Sequence, residues 1–386
     1  MPIPFGCDFL LTDEMKQLKA SASAFAEKEI APLARHIDET NQFPRELWPK
    51  LGKAGFLGAT ISKEYGGTKS GYLAQMIIME AIGRASSSLC LAYAAHANLC
   101  ANQIDRFGTP EQKALYLPKL MSGEWLGSLA MSEKTAGSDV LSMQLHAEEK
   151  EDHYVLNGHK MWITNGTTAD VLVVYAKTNP ESGAHGMTTF IVEKNFPGFK
   201  ALPKLNKLGI RGCDTSELNF NNCIVPKKNI LGGLNQGLKI LMSGLDIERA
   251  VITAAPVGLM HACLDLMIPY VKTRQQFKKR IGDFQFIQHK MSNAHMKFQI
   301  SQNYLYTLGM MCDQHIIRPE QAAGAYLFAA ESATEIALDT IQCLGGIGYL
   351  NDSDAGRLLR DAKLYEIGAG TCEVRRLVIA RELLKD

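Results

Sequence analysis

Net charge is the first thing this sequence lacks. Its 386 residues carry 41 Lys and Arg against 40 Asp and Glu, a balance of +1, which removes the positive field that recommends nucleic acid as a partner. Paired cysteines are missing too. The nine cysteines are scattered from Cys7 to Cys372 with no C-x-x-C, a pattern of reduced intracellular thiols rather than a disulfide framework or zinc cage. The longest apolar runs, at residues 89–95 and 171–176, fall far short of the ~20 residues that cross a bilayer, so no membrane partner is expected. The N-terminal stretch carries Asp8, Asp13 and Glu14 and no basic leader before an apolar run, so a secretory signal is not expected either. Common catalytic signatures fail in turn. Gly346-Ile347-Gly348 and Gly368-Ala369-Gly370 lack the third glycine of a Rossmann site. The loop Gly66-Gly67-Thr68-Lys69-Ser70-Gly71 is no Walker sequence and reads as a turn. H-E-x-x-H and G-x-S-x-G are absent, and the ten histidines show no metal spacing. No metal is expected, and His96 and His261 read as core or surface groups.

What is present is a globular composition, 46% hydrophobic and 21% charged, too apolar for a disordered chain and long enough for two or three domains. From about Thr12 to Glu124 apolar residues recur at helical intervals, as in Leu18, Ala22, Phe25 and Ile30. Thr109-Pro110 followed by Glu111 marks a helix start. Near Trp125 the character changes to short β-branched or aromatic runs at residues 154–156, 160–163, 171–175, 188–192 and 218–225. Asn157-Gly158 is read as a hairpin turn between two of them. Helical spacing returns after Gly237 and persists to Leu384. The expected fold class is α+β multidomain: an N-terminal helical domain (1–124), a middle antiparallel β domain (125–235) and a C-terminal helical bundle (236–386), packed as one body.

One carboxylate is oddly placed. At about 100° per residue, Leu241, Leu245, Glu248 and Ile252 share one helix face, so Glu248 lies on an apolar stripe. It is either a structural ion, with Asp246 and Arg249 at helical spacing as partners, or a group in a dry cleft, where desolvation raises its pKa and makes it a stronger base once ionised.

Four segments carry a resemblance. Leu129-Ala130-Met131-Ser132-Glu133 with Ala136-Gly137-Ser138-Asp139-Val140, then Trp162-Ile163-Thr164-Asn165, then Gln342-Cys343-Leu344-Gly345-Gly346, and finally Glu366-Ile367-Gly368-Ala369-Gly370-Thr371 follow the order found in the acyl-CoA dehydrogenase family. From about Leu11 to Leu384 the chain resembles that family, and within it most the branch acting on isovaleryl-CoA. The resemblance implies FAD as cofactor, held without a Rossmann motif. Leu129, Met131, Ser132, Gly137 and Ser138 would meet the flavin, with Trp162 covering the isoalloxazine, Ile163 beside it and Thr164 at its reactive edge. Arg274 and Gln285, together with Gln342, Cys343, Leu344, Gly345 and Gly346 of a neighbouring subunit, match residues that hold the pyrophosphate and adenosine. Thr371 and Glu373 match the last FAD contacts.

The same resemblance implies the base. Most members place a glutamate just before Gly-Thr, where this chain has Ala369; the isovaleryl branch takes it instead from an Asp-x-Glu-Arg helix, here Asp246-Ile247-Glu248-Arg249. The stripe argument and the family argument thus meet on Glu248, ahead of Glu366, read as structural, and Glu373. Ser138, Asp246, Arg249, Ala369 and Gly370 are expected to meet substrate, and the backbone N–H of the base with a flavin ribityl hydroxyl to stabilise the thioester oxygen. The implied activity is dehydrogenation of isovaleryl-CoA to 3-methylcrotonyl-CoA, a step of leucine catabolism. An electron-transfer flavoprotein is the implied acceptor, a homotetramer the implied assembly, and the bacterial cytoplasm or mitochondrial matrix the implied compartment. A longer branched thioester such as citronellyl-CoA, or a non-catalytic acyl-CoA-binding role, are the alternatives. Lys134-Thr135, Ala184-His185, Lys239 and Lys278 depart from the pattern of that branch and bear on specificity more than on the reaction.

Overall fold

The computed structural model describes residues 8–385; Cys7 lies outside them. The N-terminal third is helical: α1 (Asp13–Phe25), α2 (Ala34–Thr40), α3 (Leu47–Lys53), α4 (Tyr72–Ala85), α5 (Ser87–Ala94), α6 (Asn102–Phe107) and α7 (Pro110–Ser122). The Thr109 start is as the sequence predicts. Its side chain and that of Gln112 cap each other's backbone N–H groups, with Pro110 in the first turn. Between α5 and α6 the chain winds through a π-helical stretch, Ala95–Ala101, which no spacing in the sequence announces.

The middle segment forms β1 (Gly127–Ala130), β2 (His146–Glu149), β3 (His153–Thr164), β4 (Val171–Lys177), β5 (Met187–Glu193), β6 (Phe199–Ala201), β7 (Thr215–Pro226) and β8 (Ile230–Leu231). They make one sheet in the order β6-β7-β3-β2-β4-β5-β8. Its pairings are antiparallel as expected except along one edge of β4, where β1, and β2 at one residue pair, run parallel to it, so the sheet is mixed. Strand β4 is buried at every residue because both its faces are covered. Leu172, Val174 and Ala176 join the core shared with the C-terminal helices, and Val171, Val173 and Tyr175 join a second core with Cys100, Ile104 and Leu241.

The Asn157-Gly158 hairpin is not formed. Both residues lie inside β3, where the register against β7 slips between Leu156 and Gly158. The positive φ of Gly158, 137°, serves a bulge instead of a turn. Asn157 is held there by accepting the Asn222 N–H at 2.7 Å. The hairpin turn falls at residues 150–152, between β2 and β3.

The C-terminal part contains α8 (Gly237–Ile252), α9 (Ala254–Thr273), α10 (Gln285–Asp313), α11 (Pro319–Leu344), α12 (Asp354–Tyr365) and α13 (Cys372–Leu383). Helices α4 and α9 cross closely because Gly258 has no Cβ; one there would lie 2.4 Å from the Glu80 carbonyl oxygen. The stretch Gly237–Thr273 is long and apolar enough to cross a membrane by length and composition, which the short apolar runs in the sequence do not suggest. Since 78% of its most apolar window is buried inside the protein, core packing accounts for that character. All eight cysteines among the described residues are unpaired and buried.

Candidate active site

Helix α8 carries Glu248 into a cavity of about 490 Å³. Leu245, Glu248 and Ile252 line it together, while Leu241, the fourth member of the stripe, is buried in the adjoining core. Leu91, Ala94 and Leu99, Leu129 and Met131, and Tyr326 of α11 with Leu364, Tyr365 and residues 367–371 are further parts of its wall. In this largely apolar setting the Glu248 carboxyl takes no hydrogen bond from a described residue. Burial raises its pKa from 4.5 to about 7, although the charges of Arg249 and Arg375 pull the other way. Arg249 does not neutralise it. Its Nη1 lies 2.9 Å from Asp246 Oδ1, so the two neighbours satisfy each other and the structural-ion reading of Glu248 loses its partners. A carboxyl in this state exchanges protons near neutral pH and is a strong base once ionised.

The end of β3 forms another part of the lining. The register against β7 slips again between Lys160 and Ile163, and Trp162 takes a φ of 60°, an outlier for a bulky aromatic residue. The bulge re-aims the side chain. Trp162 is 50% exposed and lines the cavity with Ile163 and Thr164. A Cβ on Gly137 would meet only Trp162, at 4.0 Å. The loop carrying Gly137 is tied down by a buried ion pair. Lys160 Nζ lies 2.9 Å from Glu133 Oε1 and donates to the Met131 carbonyl at 2.8 Å, while Glu133 accepts the N–H groups of Gln144 and Leu145. Ser132 donates its hydroxyl to the Met161 carbonyl at 3.0 Å, which leaves its oxygen free to accept. An exposed indole face, an open glycine, and hydroxyls of Ser132, Ser138, Thr164 and Thr215 in one lining fit a flat group with an apolar body and a polar edge. An isoalloxazine is such a group.

The structure therefore gathers Leu129, Met131, Ser132, Gly137, Ser138, Trp162, Ile163, Thr164, Arg249, Ala369, Gly370 and Thr371 around the cavity of Glu248. Asp246 lies just outside, joined through Arg249. Arg274, Gln285, Gln342, Cys343, Leu344, Gly345, Gly346 and Glu373 do not line it. Ion pairs Lys290–Asp339 and Lys297–Glu335 set α10 and α11 antiparallel. Gln285 and residues 342–346 consequently share one end of that helix pair, where Gln285, Gln342, Gly345 and Gly346 are exposed and Cys343 and Leu344 are buried. Glu366 is engaged by Lys363 at 2.6 Å. Of the departures, Lys134 and Lys239 are exposed and Ala184-His185 lie outside the cavity lining. Lys278 has a φ of 65° beside Phe277 at 51°, in the turn between the short strands Gln275–Gln276 and Lys279–Arg280. That left-handed position is where a glycine costs least.

One expectation is corrected. Glu248 sits in the middle of α8, so its N–H is committed to the helix ladder and cannot reach a thioester oxygen. The N–H groups of Ala369 and Gly370, in contrast, find no acceptor among the described residues. Sequence reasoning also missed the wall of Leu91, Ala94 and Leu99, together with Lys207, Thr215, Tyr326 and the buried Arg375. Helix α5 is apolar on nearly every side and presents no face to read. Arg375 leaves no signal either: it and Cys372, one turn earlier, are the two buried positions of α13, but the sequence alone does not mark them.

Comparison with known proteins covers almost the whole chain. Residues 12–124, 128–223 and 235–384 match the acyl-CoA dehydrogenase N-terminal, middle and C-terminal domain families. The chain is 54% identical over 384 residues to a mitochondrial isovaleryl-CoA dehydrogenase of Solanum tuberosum, covering 99% of this chain and 93% of the relative. It is 52% identical over 383 residues, with the same coverage, to a mitochondrial 2-methylacyl-CoA dehydrogenase of that plant. A chain solved in work on the electron transferring flavoprotein of Acidaminococcus fermentans superimposes with a TM-score of 0.96 at 37% identity, over 98% of this chain and 100% of the other.

Proposed function

The chain belongs to the acyl-CoA dehydrogenase family, and from this premise we propose that its substrate is isovaleryl-CoA and that Glu248 is the base. The protein is an FAD-dependent oxidoreductase that desaturates acyl-CoA thioesters. When bound, FAD supplies the acceptor for the β hydride. The chain's own residues do the rest. Glu248, ionised, takes a proton from Cα of a thioester lying in the cavity, and the apolar walls keep water from competing for that carboxylate. Trp162, Thr164, Met131 and the Gly137-Ser138 backbone would hold the flavin in the same cavity as Glu248. Arg274 and Gln285 would bind the remote end of the dinucleotide with Gln342, Cys343, Leu344, Gly345 and Gly346 of another subunit, and Thr371 and Glu373 would complete that contact. The thioester oxygen meets the N–H of Ala369, and Gly370 and Ser138 border the acyl chain.

The carrying observation is the carboxyl of Glu248 in a largely apolar cavity with no hydrogen-bond partner among the described residues, while the loop position used by most of the family holds Ala369. Identity favours the isovaleryl over the 2-methylacyl relative only narrowly, so substrate choice is tested directly. The purified protein is mixed anaerobically with isovaleryl-, 2-methylbutanoyl-, citronellyl- and straight-chain acyl-CoAs while flavin absorbance is followed. Fast bleaching by isovaleryl-CoA above all others is expected. Preference for another thioester moves the substrate, and no bleaching by any of them overturns the reading.

We propose a homotetramer as the working assembly, an electron-transferring flavoprotein as the acceptor, and a soluble compartment such as the mitochondrial matrix or a bacterial cytoplasm. The exposed side chains of Phe277, Phe286 and Tyr349, each more than four-fifths accessible, lie close in sequence to the dinucleotide residues outside the cavity and support contact between subunits there.

A further inference from the structure

Arg375 is a fully buried guanidinium without an ion-pair partner among the described residues. Its Nη2 donates to the carbonyls of Tyr365 at 2.5 Å and Gly368 at 2.8 Å, and its plane stacks on Tyr326, 3.6 Å from the ring centroid. Tyr326 in turn donates its hydroxyl to the same Gly368 carbonyl at 3.2 Å. Two donors, one of them charged, thus converge on one carbonyl of a Gly-Ala-Gly loop in which Ala369 and Gly370 both have positive φ, 55° and 87°. Such a loop has little intrinsic stiffness, and charge-assisted bonds are the strong ones available to fix it.

Peptide planarity gives the clamp a direction. In a trans peptide the carbonyl and the following N–H point opposite ways, and no peptide among the described residues is cis. With the Gly368 carbonyl turned toward Arg375, the Ala369 N–H points away from it. Gly368, Ala369 and Gly370 line the cavity and Arg375 does not, so the loop separates the guanidinium from the cavity, and away from Arg375 is toward the substrate.

We propose that Arg375, assisted by Tyr326, is a positioning residue that aims the Ala369 N–H at the thioester oxygen. The inference rests on the reading that Glu248 deprotonates a thioester in this cavity. As the Cα–H bond breaks and its proton passes to Glu248, the electron pair moves onto the thioester oxygen. A donor already aimed there stabilises that charge without rearrangement. With the base on α8, the 368–370 loop carries the donor alone and needs its own fixture.

The test isolates proton removal. 3,3-Dimethylbutanoyl-CoA, one methyl larger than isovaleryl-CoA, has α hydrogens and no β hydrogen, so it can exchange but cannot be oxidised. The flavin-loaded enzyme is incubated with it in D2O, and deuterium at Cα is followed by NMR. Arg375→Met is expected to keep flavin content and thioester Kd within about threefold of the parent while exchange slows by about tenfold to a hundredfold. Tyr326→Phe should slow it about threefold or more, and Arg375→Lys should recover part of the loss because it restores a charged donor. An Arg375→Met enzyme that retains flavin and exchanges at the parent rate overturns the proposal. Should that variant not fold, unchanged exchange in Tyr326→Phe overturns it equally. Glu248→Gln keeps the two readings apart: parent-rate exchange there sinks the assignment of the base, whereas slow exchange there beside an unimpaired Arg375→Met sinks only the clamp.

Discussion

Replacing Glu248 by Gln keeps the size of the side chain and removes its charge, which makes opposite predictions for catalysis and stability. Loss of a general base costs about a hundredfold or more in turnover. In the parent, a pKa of about 7 puts the acid limb of the rate profile near neutrality. At pH 6 about one carboxylate in ten is ionised, so the rate should stand about tenfold below its alkaline plateau. The stability term runs the other way. A carboxyl whose pKa is raised on folding contributes its full stability below about 4.5, where both states are protonated, and loses it as the pH rises through about 7. The interval from 4.5 to about 7, at about 1.4 kcal/mol per pH unit, makes the ionised side chain cost about 3 kcal/mol at pH 8. The Gln variant avoids that cost, so it should be the more stable protein at pH 8 and lose its advantage near pH 4.5, as read from urea midpoints at both values. A variant that keeps more than a tenth of parent turnover, a parent profile that is level between pH 6 and 8, or no alkaline gain in stability would each refute the reasoning.

Other perturbations read other parts of the site. Glu133→Gln strands the buried Lys160 ammonium and should cost about 3–5 kcal/mol, with release of flavin at lower urea than in the parent; retention of both would mean that the pair does not hold the loop. His96 is buried, accepts the Gly127 N–H on Nδ1 at 3.0 Å and pairs Nε2 with the Leu120 carbonyl, so it is neutral in the fold, with its pKa pushed down to about 3 by burial. Stability should fall by about 1.4 kcal/mol per pH unit below about 6.5 from this residue, a slope that His96→Gln should remove in urea titrations at pH 7 and 5.5. Asn165 has a φ of 61° and donates to the carbonyls of Ala92 and Gly127. Asn165→Ala loses both bonds and keeps the strain, whereas Asn165→Gly loses the bonds only, and the Gly variant should be the more stable by about 1 kcal/mol in chemical denaturation.

Where one physical constraint dominated, the sequence was readable. Amphipathic spacing placed the helices, because a surface helix must hide one stripe, and the same spacing put Glu248 on a buried face. Three of the four motifs, those carrying Met131, Trp162 and Thr371, line the cavity, and they could be found because backbone contact with a ligand leaves small residues and fixed order. Reading failed where two constraints share one signal. Asn157-Gly158 offers positive φ, which hairpin turns and bulges both use, and only the pairing of β3 with β7 along twelve residues of each decides between them. The apolar rod of α8 and α9 looks short as runs because Glu248 and Arg249 interrupt it, yet most of its apolar stretch is buried inside the protein. Val374-Arg375-Arg376 gives no hint of which arginine is inside. Burial of Arg375 depends on carbonyls seven and ten residues upstream, at Gly368 and at Tyr365 that ends α12, and on a ring from α11.

Four of the eleven non-glycine residues with positive φ among the described residues lie in or next to the walls of this cavity, and their supports explain why the site persists. Trp162, Asn165, Ile210 and Ala369 are non-glycine residues with positive φ, each costing on the order of 1–3 kcal/mol. Each belongs to a cavity wall or to a segment that braces one, and each is held from a different element. Trp162 is fixed by the bulge against β7, and Asn165 by its side-chain bonds to α5 and β1. Ile210 gives its N–H to Asp361 of α12 at 2.5 Å, which steadies the loop carrying Lys207. Ala369 follows the carbonyl gripped by Arg375 and Tyr326. No single helix or sheet could maintain all four conformations. Their common dependence on contacts between the N-terminal helices, the sheet and the C-terminal helices means that the cavity takes its shape only when all three have docked. The proposed flavin wall, the carboxyl of Glu248 and the backbone of Ala369, on β3, α8 and the 368–370 loop, come together in one lining only in that assembled state.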